Sequence, residues 1–159
     1  MTTTRAATLQ ETLRLTKVPP NGLEWHKELI KGLPYKSLPA LAKTLKIAEK
    51  ELAALLGLSA RTMAARKKAR RLNLAESDLI YAIARAYVRL ASYKSIEEAR
   101  SWLLSKLEVL KGNVPVDLLQ TRLGTDYVMS TIDRERAVIV KSLLDRPLEE
   151  EPDTTDSEE

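Results

Sequence analysis

The basic side chains between positions 61 and 71 have the clearest capacity for chemistry. Six of these eleven residues are cationic, and they follow directly on Gly57-Leu58-Ser59. They are Arg61, Arg66, Lys67, Lys68, Arg70 and Arg71. Cationic side chains bind phosphate oxygens, and an arginine can also donate two hydrogen bonds to the edge of a guanine base. The segment therefore has the chemistry that is needed to bind DNA.

The residues around this segment have the spacing of a helix-turn-helix. Gly57 can adopt the left-handed backbone that ends one helix, and Ser59 can cap the next helix. Ala53 is small enough for two helices to cross closely, and Met63 can attach the second helix to the core. An ordinary helical hairpin with a solvated basic face is the plainer interpretation. Six basic side chains directly after the turn nevertheless favour DNA binding.

In such a motif the N-terminal part of the second helix enters the major groove. Arg61 is the best candidate for reading a base, whereas the hydroxyls of Ser59 and Thr62 are better suited to phosphate. Ala65 and Arg66 are further candidate contacts. The basic side chains further along the chain would attract the DNA backbone through counterion release, independently of the nucleotide sequence. They are Lys67, Lys68, Arg70 and Arg71.

The charge of the whole chain is divided unevenly. Residues 149–159 contain seven acids and no base, so the 148 residues before them contain 26 basic and 15 acidic side chains. A body this basic suits a polyanionic partner. We expect residues 143–159 to form a disordered acidic tail.

Several kinds of site are excluded by the residue types. The chain has no cysteine and a single histidine, His26, so disulfides and thiolate metal sites are excluded and a histidine metal site is not expected. No glycine-rich phosphate loop or nucleophile elbow is present, and we expect neither enzymatic activity nor a cofactor. No apolar run is long enough to span a membrane, which predicts a cytoplasmic protein.

The elements that position the basic helix are predicted to be helices, in an all-α fold. Apolar residues make up 44% of the chain but aromatic residues only 4%, so the core must consist mainly of aliphatic side chains. Capping boxes at Asn73 with Glu76, and at Ser95 with Glu98, each predict the start of a helix. The remaining helices are expected over residues 23–31, 37–45, 49–56 and 60–72, in a short turn after Pro115, and over about 124–133.

These motifs are followed by a second set, and the two sets in this order resemble the Xre/MbcA/ParS antitoxin family. The resemblance covers about residues 34–136. The first set is Glu51-Leu-Ala-Ala-Leu-Leu-Gly57-Leu-Ser-Ala-Arg-Thr62, Arg66-Lys67 and Leu74-Ala-Glu-Ser77. The second set is Ala99-Arg-Ser-Trp-Leu103, Pro115-Val-Asp-Leu-Leu-Gln-Thr121, Gly124 and Ile132-Asp-Arg134. In this family a helix-turn-helix region precedes a small helical toxin-binding domain. The resemblance divides the chain into an N-terminal arm (1–22), a DNA-binding region (23–93), a toxin-binding domain (94–142) and the tail.

The resemblance implies a bacterial, cytoplasmic protein that is commonly a homodimer. It would neutralise a RES-type toxin that consumes NAD, and it would bind operator DNA to repress its own operon without a cofactor. Its C-terminal end would lie at the entrance of the toxin's active site. We expect Arg134, Glu135, Arg136 and Val138 there, because a cationic segment suits a pocket for a phosphate-bearing ligand. Many members have a glycine shortly after the residue that matches Arg134, whereas this chain continues with Glu135-Arg136-Ala137.

Five further residues of the expected toxin-binding domain have two interpretations. They are Trp102, Leu118, Leu119, Tyr127 and Val128. Each would belong to the core of any small helical domain, and each is also of a type that could contact a toxin.

Two other functions remain open at this point. A stand-alone helix-turn-helix regulator, with C-terminal helices that dimerise or sense a ligand, would keep the DNA-binding half and have no toxin. A scaffold with an incidental basic face would bind polyanions without preferring an operator.

Overall fold

The computed structural model describes residues 7–147, which fold into α-helices and one short 3₁₀ helix, Glu108–Leu110, without a β-strand. The α-helices are α1 (Leu9–Leu13), α2 (Gly22–Lys31), α3 (Ser37–Leu45), α4 (Glu49–Leu55), α5 (Ala60–Ala69), α6 (Leu74–Ala91), α7 (Ile96–Leu104), α8 (Pro115–Leu118) and α9 (Arg122–Leu144). The predicted all-α fold is confirmed. The expected disordered tail, 143–159, lies outside the described residues from position 148 onward, and its first two residues, Leu143 and Leu144, instead belong to α9.

Helix α6 is the centre of the fold. It contacts α1, α2 and α3 from the first half of the chain, and α7 and α9 from the second half. Its Ile80, Ile83 and Leu90 side chains are completely buried. The predicted capping box is present, with the Asn73 side chain accepting from the Glu76 amide at 2.8 Å and the Glu76 carboxylate accepting from the Asn73 amide at 3.1 Å. Both halves of the chain are therefore built on one helix.

Helix α1 belongs to this core, although residues 1–22 were expected to form an arm. Leu13 is completely buried, and α1 packs against α3 and α6. The buried Ser37 hydroxyl donates a 2.8 Å hydrogen bond to the Leu13 carbonyl. The helix ends at Leu13, because Arg14 takes a left-handed conformation with φ 50°.

Helix α5 is shorter than expected, because its last predicted residues pair with another segment. It ends at Ala69, and Arg70 is left-handed with φ 61°. The Leu72 amide then donates to the Leu33 carbonyl at 2.9 Å, and the Tyr35 amide donates to the Arg70 carbonyl at 3.1 Å. This pairing attaches the end of α5 to the segment between α2 and α3.

Helix α9 is much longer than the predicted helix over 124–133, and that prediction was wrong about its end. Thr121 caps its first turn, and no glycine or proline occurs from position 125 to 146. The β-branched residues 138–140 each lower helix propensity by only a few tenths of a kcal/mol. A cost of this size does not stop the helix.

Candidate functional site

The helix-turn-helix consists of α4, a turn at Gly57 and α5. Gly57 has φ 70°, and the Leu58 amide donates to the Ala53 carbonyl at 2.9 Å. The Ser59 hydroxyl accepts from the Thr62 amide at 3.1 Å, and the two hydroxyls lie 3.0 Å apart. The two predicted phosphate-binding hydroxyls thus also hold the N-terminus of α5 in shape.

One face of α5 is open to solvent along its whole length, and no residue of the helix is buried. Arg61, Ala64, Ala65 and Lys68 are exposed and have the i, i+3, i+4, i+7 spacing of a single helix face. Met63 lies on the other side and packs against the core. Two alanine methyl groups between two cations would allow this face to approach a groove closely. Ala64 was not selected from the sequence, although its spacing from Arg61 was a usable signal.

Arg66 and Arg71 make contacts within the protein. The Arg66 Nε donates to both carboxylate oxygens of Glu76, at 2.7 and 2.9 Å. Arg71 donates from Nη1 to the carbonyls of Lys31 and Gly32, at 3.2 and 3.0 Å. These two predicted DNA contacts therefore already have structural roles.

A groove of about 600 Å³ runs along α4 and α5. Lys50 from α4 and Lys67 from α5 line it together with Tyr35 and Glu49. Burial raises the pKa of the Tyr35 phenol above its usual range, and the Glu49 charge raises it further. Lys50 and Tyr35 were not selected from the sequence, because only the fold brings them beside the basic helix.

Polar contacts near the middle of α9 hold this helix to α6, to α7 and to the segment between them. The Trp102 indole donates to Glu135 at 3.1 Å, and Lys94 forms an ion pair with the same carboxylate. Two residues earlier on α9, both carboxylate oxygens of Asp133 accept from Arg89 at 3.1 Å. Beyond these contacts α9 has no buried residue up to its end at Leu144.

The predicted toxin contacts divide into buried and exposed residues. Leu119 and Val128 are core residues, and Trp102 is 8% exposed, so these three have little or no side-chain surface to offer a partner. Leu118 is half-buried and Tyr127 is 44% exposed. Arg134, Arg136 and Val138 are exposed on α9, whereas Glu135 is half-buried by its contacts.

Comparison with protein families gives two matches in the same order as these two halves. Residues 24–85 match the family model of the antitoxin Xre-like helix-turn-helix domain. Residues 91–137 match that of the antitoxin Xre/MbcA/ParS C-terminal toxin-binding domain. The chain therefore resembles Xre-type antitoxins in both of their domains. No curated protein matches it significantly.

The boundary between the two matched regions falls in the last turns of α6. The first match ends at residue 85 and the second begins at residue 91, both within that helix. In residues 7–147 no helix is long and apolar enough to cross a membrane. The basic face of α5 belongs to the first match, and the exposed residues of α9 up to position 137 belong to the second.

Proposed function

We propose that the protein is the antitoxin of a type II toxin-antitoxin pair. It binds operator DNA through α4 and α5 to repress its own operon, and it neutralises a RES-type, NAD-degrading toxin by occluding the toxin's active site. It acts in the bacterial cytoplasm, as a homodimer and without a cofactor. The observation that carries the proposal is the match to both antitoxin domains in one chain.

The DNA-binding part of the proposal rests on the open face of α5. Arg61 lies in the first turn of the helix, where it can reach a guanine, and Ala65 is next to it on the same face. The phosphate contacts come from exposed cations on both sides of this face. They are Lys50, Lys67, Lys68 and Arg70, together with the hydroxyls of Ser59 and Thr62.

The toxin-binding part rests on the exposed residues of the second domain. Arg134, Arg136 and Val138 lie on the portion of α9 that follows its last buried residue, Ile132. Tyr127 adds an exposed aromatic side chain on the same helix. Glu135 holds this helix to Trp102 and Lys94, so its task is to orient the cations rather than to enter the toxin.

The proposal is tested by cell growth and NAD content when the neighbouring open reading frame is expressed alone or together with this protein. Co-expression is expected to restore both. An Arg134→Ala, Arg136→Ala variant is expected to restore them less well, because two cations of the toxin-binding surface are lost. Lys27→Ala, Lys31→Ala is the matched control, since both lysines are exposed on α2 in ion pairs that contribute little to stability.

Two results would contradict the proposal. If the neighbouring product is harmless, or if it is toxic and co-expression restores nothing, a stand-alone regulator becomes the better account. If the control variant fails as badly as the Arg134→Ala, Arg136→Ala variant, the placement of the toxin-binding surface on α9 is wrong.

A further inference from the structure

The Arg66–Glu76 pair joins the basic helix to the central helix of the fold. Arg66 is in α5, and Glu76 is in the first turn of α6. One guanidinium nitrogen, Nε, bonds to both carboxylate oxygens. This is the only side-chain hydrogen bond between α5 and another helix among residues 7–147. It therefore constrains how α5 is held against α6.

The carboxylate of Glu76 depends on this arginine. The Glu76 side chain is only 4% exposed, whereas that of Arg66 is 30% exposed. A buried carboxylate is unfavourable unless cations and hydrogen-bond donors compensate it, and here these are Arg66 and the backbone amide of Asn73. The pair also lines a groove of about 580 Å³ that includes the turn residue Gly57.

The hydrophobic attachment of α5 is weak by comparison. No residue of α5 is buried, and Met63 is its one large apolar side chain. A helix with so little buried area can shift unless a directional contact fixes it. Arg66 lies three residues after Met63, so these two side chains share the inward side of the helix.

We propose that Glu76 is a positioning residue for DNA recognition, and that Arg66 acts as its partner within the protein rather than as a contact to a base or phosphate. The pair sets the orientation at which α5 presents Arg61 and Lys68. This inference rests on the proposed DNA binding. It removes Arg66 from the expected DNA contacts and adds an acidic residue that makes no contact with DNA.

The test is a double-mutant cycle with Glu76→Gln and Arg66→Met. Glutamine keeps a capping-box side chain at position 76, and the double variant leaves no buried charge without a partner. Each single variant is expected to lose roughly tenfold in its preference for operator over random DNA, the size of a mismatched base pair. The double variant is expected to lose no more than Glu76→Gln alone, and none of the three changes the dependence of binding on salt.

Lys68→Met is the matched control, since it removes another cationic side chain, from the open face of the same helix. It is expected to lower the salt slope by about one, as a lost phosphate contact does. If Arg66→Met lowers the salt slope in the same way, or if it adds its full loss to that of Glu76→Gln, Arg66 contacts DNA and the inference is wrong.

Hydrogen exchange separates this inference from the proposed function, because it needs no DNA. The amides of residues 60–69 are expected to exchange at least several-fold faster in Glu76→Gln and Arg66→Met, but not in Lys68→Met, with α7 and α9 unchanged. Unchanged exchange in α5 would overturn the positioning role. Faster exchange in a protein that binds no operator would instead contradict the proposed DNA binding alone.

Discussion

At the scale of single residues, chemical type and position within the fold divide the basic cluster into two groups. Arg61, Lys67 and Lys68 are exposed, whereas Arg66 and Arg71 donate hydrogen bonds within the protein. An arginine fork reads a base, and a lysine near the backbone displaces counterions. Residues of equal charge in one helix are therefore expected to have different effects.

Arg61→Ala is expected to weaken binding to the operator by about 1–3 kcal/mol, while binding to random DNA changes much less. Lys67→Ala is expected to weaken both kinds of binding alike and to lower the salt slope by about one. Titrations of the operator and of random DNA at several salt concentrations measure both effects. Equal losses and equal slopes in the two variants would show that Arg61 does not read a base.

At the scale of elements, local signals in the sequence predicted starts better than ends. Each predicted capping box, at Asn73 and at Ser95, spans only four consecutive residues, and both are present. The end of α9 could not be predicted, because it depends on how far a helix without breakers continues past its last packed residue. The Arg66–Glu76 pair was missed for another reason: nothing in the sequence shows that Glu76 is buried, and its place in a capping box already explained it.

Two turn glycines allow a matched comparison of backbone strain and close packing. Gly32 and Gly57 have φ of 89° and 70°, but only at Gly32 would a Cβ meet another atom, the Leu72 carbonyl oxygen at 2.0 Å. Gly57→Ala is expected to destabilise the fold by about 1 kcal/mol through its backbone conformation alone. Gly32→Ala is expected to cost distinctly more, because α2 must also move away from the end of α5. Urea denaturation followed by circular dichroism compares them, and equal losses would contradict the contact.

At the scale of the whole molecule, phenols with raised pKa values make the free energy of unfolding depend on pH in the alkaline range. Burial raises the pKa of Tyr93, with further contributions from Glu135 and Asp133, and burial also raises the pKa of Tyr87. A raised pKa means that the folded state binds the proton more tightly than the unfolded chain does. The stabilisation that these two phenols give the folded state is therefore fully present below a pH of about 10, and it is lost as the pH rises above that value.

Tyr93→Phe is expected to reduce the fall in unfolding free energy between roughly pH 9.5 and 11, because it removes a phenol that resists ionisation in the folded state. Tyr127→Phe is the control, since this side chain is 44% exposed on the surface of α9. Denaturant unfolding over this pH range measures the effect. An identical pH dependence in both variants would mean that Tyr93 does not contribute.

The central position of α6 also limits how this protein can be divided. Two family domains meet within α6, yet the helix packs against elements of both, and Leu90 near its end is completely buried. The two matched regions are thus not separate structural units. A fragment ending at residue 85 would stop in the middle of the shared core, so an engineered chimera has to exchange α6 together with the surfaces of α7 and α9 that cover it.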